Sequence, residues 1–297
     1  TNKVFAWHQY LLMFQLAVVY FYGGIAKLNS DWLQGEPMRM WLERRTEFPY
    51  IGQFFTQEWA VHFFTYGGLF FDLLIVPLLL WRKTRVPAFI VTAAFHLLND
   101  QLFLIGVFPW FMLLATFILF FDYLPAFWRN WKWFKPQDLN LKPRKPKLVL
   151  SLLAIYCTIQ LLLPFRHHLY PGNVSWTEEG HKFSWRMKLR SKIGHSRFFI
   201  EDKFSKKRKE ISPGFFLTDK QRRKMAGNPE MILQFAHFLE KKLAKQGIQN
   251  IEVKSTTFCS LNGRRFQLLV DSTIDLTDKD ISWKHYDWVV PLKEPLR

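Results

Sequence analysis

A lysine closes an apolar helical run in YFYGGIAKLNSDW, Tyr20 to Trp32, and that position admits two chemistries. Lys27 is either an anchor whose ammonium snorkels to the membrane interface or a reagent. Apolar surroundings penalise a charged amine, and a lysine that has lost its proton is a base. Tyr20, Phe21, Tyr22 and Ile25 supply such surroundings. Gly23-Gly24 would let another helix or a flat ring approach closely. Two further groups of polar residues interrupt apolar runs: Asp72 in GGLFFDLLIVP, and His96, Asn99, Asp100 and Gln101 in AFHLLNDQLF. A charge within hydrocarbon costs about 3 kcal/mol on insertion scales, so such residues face a bundle interior. Their spacing puts His96, Asn99 and Asp100 on one helical face. They form either an interhelical hydrogen-bond network or a polar pocket suited to a greasy substrate with a polar head.

The elements that must position these residues are membrane spans. A spanning helix needs about 20 mainly apolar residues. Five runs approach that: 9–26, 61–81, 86–105, 108–121 and 148–164, the fourth being short enough to need its flanks. Residues 1–164 therefore predict a polytopic α-helical membrane bundle, and 165–297 a small extracytoplasmic α+β domain. Short loops orient the bundle. RKTR (Arg82–Arg85) and the linker Arg129–Lys147 are rich in Lys and Arg, while the connection around IGVFP has none. The two basic loops are assigned to the cytoplasm, and the loop after Lys27 and everything beyond Pro164 to the far side. The chain opens on Thr1 without an initiator Met, so it reads as a piece of a longer protein whose earlier spans precede it.

The formal net charge of +17 raises nucleic acid as a partner. The basic residues cluster at the ends of apolar runs, and KFSKKRKE and KQRRK read as a solvated face or as contacts to anionic lipid headgroups. No nucleic-acid partner is expected. Cys157 and Cys259 differ too much in setting to pair, and no metal-type spacing occurs, so no metal is assigned.

Beyond Pro164 the signals change to those of a compact sheet with a helix. HSRFFIEDKF reads as a strand. In NPEMILQFAHFLEKKLAKQ an Asn cap and a first-turn Pro precede Ile232, Phe235, Phe238 and Leu239 at helical spacing. IEVKSTTFCSLNGRRFQLLVDSTIDL reads as a hairpin turning at Asn262-Gly263.

Four collinear stretches carry a resemblance: GGIAKLNSDWLQGEPM, AFHLLNDQLFLIGVFPWFML, VSWTEEGHKFSWRMKLRSK and SPGFFLTDKQRRKMAGNPEMILQFAHFL. Together they resemble the vitamin K-dependent γ-glutamyl carboxylase family, and are most similar to bacterial-type members, the horizontally transferred transmembrane domain proteins. The resemblance implies a membrane lyase that uses vitamin K hydroquinone as cofactor, with O2 and CO2 as co-substrates, on a glutamate-containing peptide or protein at the membrane lipid. It implies γ-carboxylation of peptide glutamate coupled to epoxidation of the quinol. It casts Lys27 as the base and matches His96 to a family histidine. Trp176, Trp185 and Met187 match a stretch that walls the quinone and glutamate sites. Arg186 and Lys188 stand where the animal enzymes have an acid and a methionine, and charge complementarity makes them candidates for holding the substrate carboxylate. Two rival readings remain: a quinol-driven enzyme with a non-glutamate substrate, and a non-catalytic quinone-binding or anchoring module that recruits partners.

Overall fold

A computed structural model describes residues 6–103, 105–120 and 146–296. The chain divides into two compact units, Thr1–Pro164 with Trp185–Met187, and Phe165–Ser184 with Lys188–Arg297.

The first unit is helical. Long helices α1 (Ala6–Lys27), α4 (Glu58–Leu80), α5 (Arg85–Phe103), α6 (Phe108–Phe120) and α7 (Pro146–Leu162) are joined by two short ones, α2 (Ser30–Leu33) and α3 (Met38–Glu43). Trp7–Lys27, Glu58–Leu80, Arg85–Phe103 and Pro146–Leu169 are long and apolar enough to cross a membrane. Helix α6 has 13 residues, and of the flanks it was expected to borrow the one after it lies outside the described residues, as does the basic linker up to residue 145. Met13, Leu16, Tyr20, Phe71, Ile75, Leu79, Ala88 and Met112 make the shared core. Apolar side chains of α7 such as Leu150, Ile155 and Leu162 stay exposed, as a lipid-facing helix requires. Polar contacts tie α7 to α1: Tyr156 donates to Gln15 Oε1 at 2.7 Å and Tyr22 to the Leu161 carbonyl at 2.6 Å. Such interhelical bonds glue helices where the hydrophobic effect between them is absent. The RKTR loop has a structural use too, since Arg85 donates to the Leu79 and Leu80 carbonyls at 3.0 Å each, closing the end of α4.

The second unit is a four-stranded antiparallel sheet of order β2-β1-β3-β4, from β1 (Lys192–Asp202), β2 (Arg208–Ile211), β3 (Ile251–Leu261) and β4 (Gln267–Val270). Helix α8 (Val174–Thr177) precedes the sheet, and α9 (Asp219–Met225) and α10 (Pro229–Ala244) lie between β2 and β3. Asn228 caps α10 by accepting from Met231 N, as the sequence predicted. Ile232, Phe235 and Leu239 enter the core, but Phe238 is exposed, with Lys242 over its ring. The predicted hairpin turn forms with φ of 51° at Asn262 and 78° at Gly263. Alternate residues of β3 (Ile251, Val253, Ser255, Thr257 and Cys259) are buried, the period of a strand covered on one face.

Candidate active site

The KLNSDW segment positions its own residues. Helix α1 ends at Lys27, and Asn29 serves both sides of the break. Its amide donates to the Ala26 carbonyl at 2.8 Å, and its oxygen accepts from Trp32 N at 3.1 Å as the cap of α2. That turn brings the Trp32 ring back over Lys27, with Nζ 5.4 Å from the ring centroid. The indole N–H is held by the Thr65 carbonyl of α4 at 3.0 Å.

Lys27 is 8% exposed. Its ammonium donates to the Gly23 carbonyl at 3.3 Å and pairs with the Asp72 carboxylate of α4. Two glycines make the approach possible. A Cβ on Gly23 would lie 3.0 Å from Asp72 Oδ2, and one on Gly24 would lie 2.6 Å from Leu73 Cδ2 and 3.1 Å from Leu73 N. Leucine at Gly24 should therefore force α1 from α4. Size-exclusion profiles of the purified chain should shift to aggregate for Gly24→Leu and stay unchanged for Gly67→Ala, whose Cβ would meet nothing within 4 Å.

Gly68 faces the same place, its absent Cβ 3.8 Å from both Lys27 Cε and Trp32 Cζ2. One turn earlier Thr65 is fully buried, and its hydroxyl has no hydrogen-bond partner among the described residues. An amine, an aromatic wall, a glycine and an unsatisfied hydroxyl thus share one apolar locality. That donor set fits a flat ring carrying oxygen.

His96 is buried and accounted for differently. Tyr20 shares a 2.7 Å hydrogen bond with His96 Nε2 and lies 3.4 Å from Thr116 Oγ1, linking α1, α5 and α6. Phe71 packs edge-on against both rings. Tyr20 and Lys27 are seven residues apart, hence on one face of α1. Lys27 and His96 thus meet the same helix face through different partners. Asn99 and Asp100 are half-buried and Gln101 is exposed. Sequence reasoning marked Asp72 as a buried charge without giving it a partner, and it passed over Trp32 and Thr65. An intramembrane acid needs a counter-charge, which was the signal available for Asp72.

Two family profiles match this chain: the HTTM domain over residues 1–124, and the vitamin K-dependent gamma-carboxylase lumenal domain over residues 145–295. The chain belongs to the vitamin K-dependent gamma-carboxylase family. No solved structure matches it. The lumenal-domain match covers the remaining site residues of this carboxylase-family protein. Trp176 is fully buried in the core of the second unit, with its indole N–H donated to the Val290 carbonyl at 2.7 Å. Trp185 and Arg186 are half-buried, while Met187 and Lys188 are exposed. Trp185 and Lys188 have φ of 53° and 50°, so the backbone turns sharply at both. Trp185–Met187 groups with the first unit and Trp176 and Lys188 with the second, so the residues matched to one wall are divided between units. The Trp-Thr-Glu-Glu segment is pinned by a buried cluster. Glu178 pairs with Arg190 at 2.6 Å and Lys192 at 3.1 Å, and Lys192 also donates to the Trp176 carbonyl at 2.7 Å. Burial pushes the Lys192 ammonium below the ordinary lysine range, and Glu178 opposes that shift. Among the described residues no cluster of His, Cys, Asp and Glu could hold a metal ion.

Proposed function

We propose that this protein is a vitamin K-dependent γ-glutamyl carboxylase in which Lys27 is the base. The observation that carries the reading is the direction of Lys27: its amine turns into the helix bundle, against Asp72 and the Trp32 face. An interfacial anchor would extend toward the headgroups instead. When bound, vitamin K hydroquinone supplies, with O2, the strong base that removes the γ-proton of a peptide glutamate, whose carbanion then adds CO2. Lys27 Nζ receives the proton of the quinol hydroxyl. Trp32 walls one side of the ring, and the Thr65 hydroxyl offers the hydrogen bond it otherwise lacks. The apolar helices exclude water, which strengthens each of these interactions.

Trp185 and Met187 are the aromatic and thioether groups accessible to a ring, and Trp176 fixes the segment that leads to them. His96, held by Tyr20, orients α5 against α1. Arg186, in the first unit, and Lys188, in the second, are each basic groups that would receive a glutamate carboxylate by charge complementarity. The lumenal-domain match supports an extracytoplasmic second unit, with the RKTR loop on the cytoplasmic side by its charge. The test uses the complete protein in lipid nanodiscs with vitamin K hydroquinone, O2, labelled bicarbonate and a glutamate peptide. Epoxide together with label in the peptide is the expected result. Epoxide without label would move the reading to a quinol-driven enzyme with another substrate, and quinone binding without epoxide to a binding module.

A further inference from the structure

We infer that Asp72 is the proton-holding partner of Lys27: the two side chains carry one proton between them, and its transfer from Nζ to Oδ2 is what frees the Lys27 amine. The inference deepens the reading of Lys27 as base and rests on it for its catalytic consequence.

Three contacts surround the Lys27 nitrogen among the described residues: the Gly23 carbonyl, the face of Trp32, and the Asp72 carboxylate. A peptide carbonyl and an indole ring orient an ammonium but do not take its proton. A carboxylate does. Tyr20 on this face of α1 and His96 of α5 are hydrogen-bonded to each other. Gly23 is what admits the acid, since a Cβ there would press on Asp72 Oδ2 at 3.0 Å.

The transfer balances without an outside reagent. The Nζ–H bond breaks and leaves its electron pair on nitrogen, while an Oδ2–H bond forms. Ammonium and carboxylate become amine and carboxylic acid, and the pair stays neutral throughout. The setting favours this exchange. The two side chains are 11% and 13% exposed, and each buried ion costs several kcal/mol of lost hydration. A hydrogen-bonded amine and acid avoid that cost. The amine can still donate to the Gly23 carbonyl, and its lone pair, which first accepts from the acid, is released when the acid hydroxyl turns away. In the proposed reaction, Lys27 then presents a lone pair without waiting for bulk water to remove its proton. Asp72 acts through Lys27, as a positioning residue.

The test compares wild type, Asp72→Asn and Asp72→Glu as full chains in nanodiscs. Infrared spectra with carbon-13 aspartate read the proton directly and need no quinol. The wild type should show the carbonyl stretch of a protonated aspartic acid that Asp72→Asn lacks. Epoxide formation should fall by a factor on the order of 10² in Asp72→Asn, and Asp72→Glu, which keeps the acid, should restore most of it. Absence of the acid band in the wild type, or an undiminished rate in Asp72→Asn, would overturn the proposal. A rate that falls equally in both variants, with both still monodisperse, would also overturn it, because only geometry would then matter. If the wild type carries the band but makes no epoxide, the shared proton stands and the role of Lys27 as base falls.

Discussion

Alanine at Lys27 should reduce epoxide formation by about 10²–10⁴-fold, the range that one positioned general base contributes. Binding of the quinone should change little, because Trp32 and the Thr65 hydroxyl remain. Both rate and affinity have to be measured: epoxide by chromatography under single-turnover conditions, and binding by quenching of tryptophan fluorescence. A purely structural lysine would behave differently. Lys27→Ala leaves Asp72 buried without a partner under either reading, but a purely structural lysine would lose rate and binding together and only through the lowered stability of the bundle. The double variant Lys27→Ala/Asp72→Asn distinguishes the cases. Removing both partners of a buried pair restores stability, so a rate still reduced in a stable double variant assigns the loss to chemistry. Lys27→Arg should be nearly as slow as alanine, since a guanidinium stays charged and cannot serve as the base.

The second large effect belongs to the other unit. Glu178→Ala should destabilise the second unit by about 3–5 kcal/mol, the cost of breaking a buried ion pair from one side. The carboxylate is the common partner of Arg190 and Lys192, and Lys192 in turn holds the Trp176 carbonyl. Hydrogen exchange of the sheet amides in the full chain reads the loss. The pH dependence has a definite sign. Burial lowers the folded-state value of Lys192, and Glu178 partly offsets this. Between the depressed value and the ordinary one near about 10.4, the unfolded chain binds more protons than the folded one, so stability rises with pH. Without Glu178 the depression deepens and the window extends downward. The defect of Glu178→Ala should therefore be worst at neutral pH and shrink as pH approaches the lysine range. Glu178→Gln should fall between, because the amide oxygen still accepts a hydrogen bond without carrying charge.

Much of the fold was legible because its signals are local. The α10 start at Asn228-Pro229 and the turn at Asn262-Gly263 each rest on a few neighbouring residues. Helical spacing assigns a stripe without giving its width, and Phe238 lies at its edge beside Lys242. Within the site, Lys27 and the adjacent glycines were visible for the same local reason. The pairing with Asp72 spans 45 residues and depends on how α1 and α4 register, which no periodicity specifies. Asp72 and His96 read as one polar population, and only the packing separates them, giving Asp72 to Lys27 and His96 to Tyr20. The left-handed backbone at Trp185 and Lys188 is likewise something that side-chain pattern does not encode.

Asn29 carries a consequence for the order in which this region assembles. By bonding Ala26 on one side and Trp32 on the other, it sets the amine and its aromatic cover within a six-residue stretch. That arrangement closes a very short loop and costs little chain entropy. This backbone turn can form as soon as α1 has formed, whereas the acid and the Thr65 carbonyl that anchors the indole arrive only with α4. Early in biogenesis the lysine and the Trp32 backbone are thus already placed, and damage to α1–α4 packing should return them to that state, with the turn intact but the ring's anchor and the proton partner both gone.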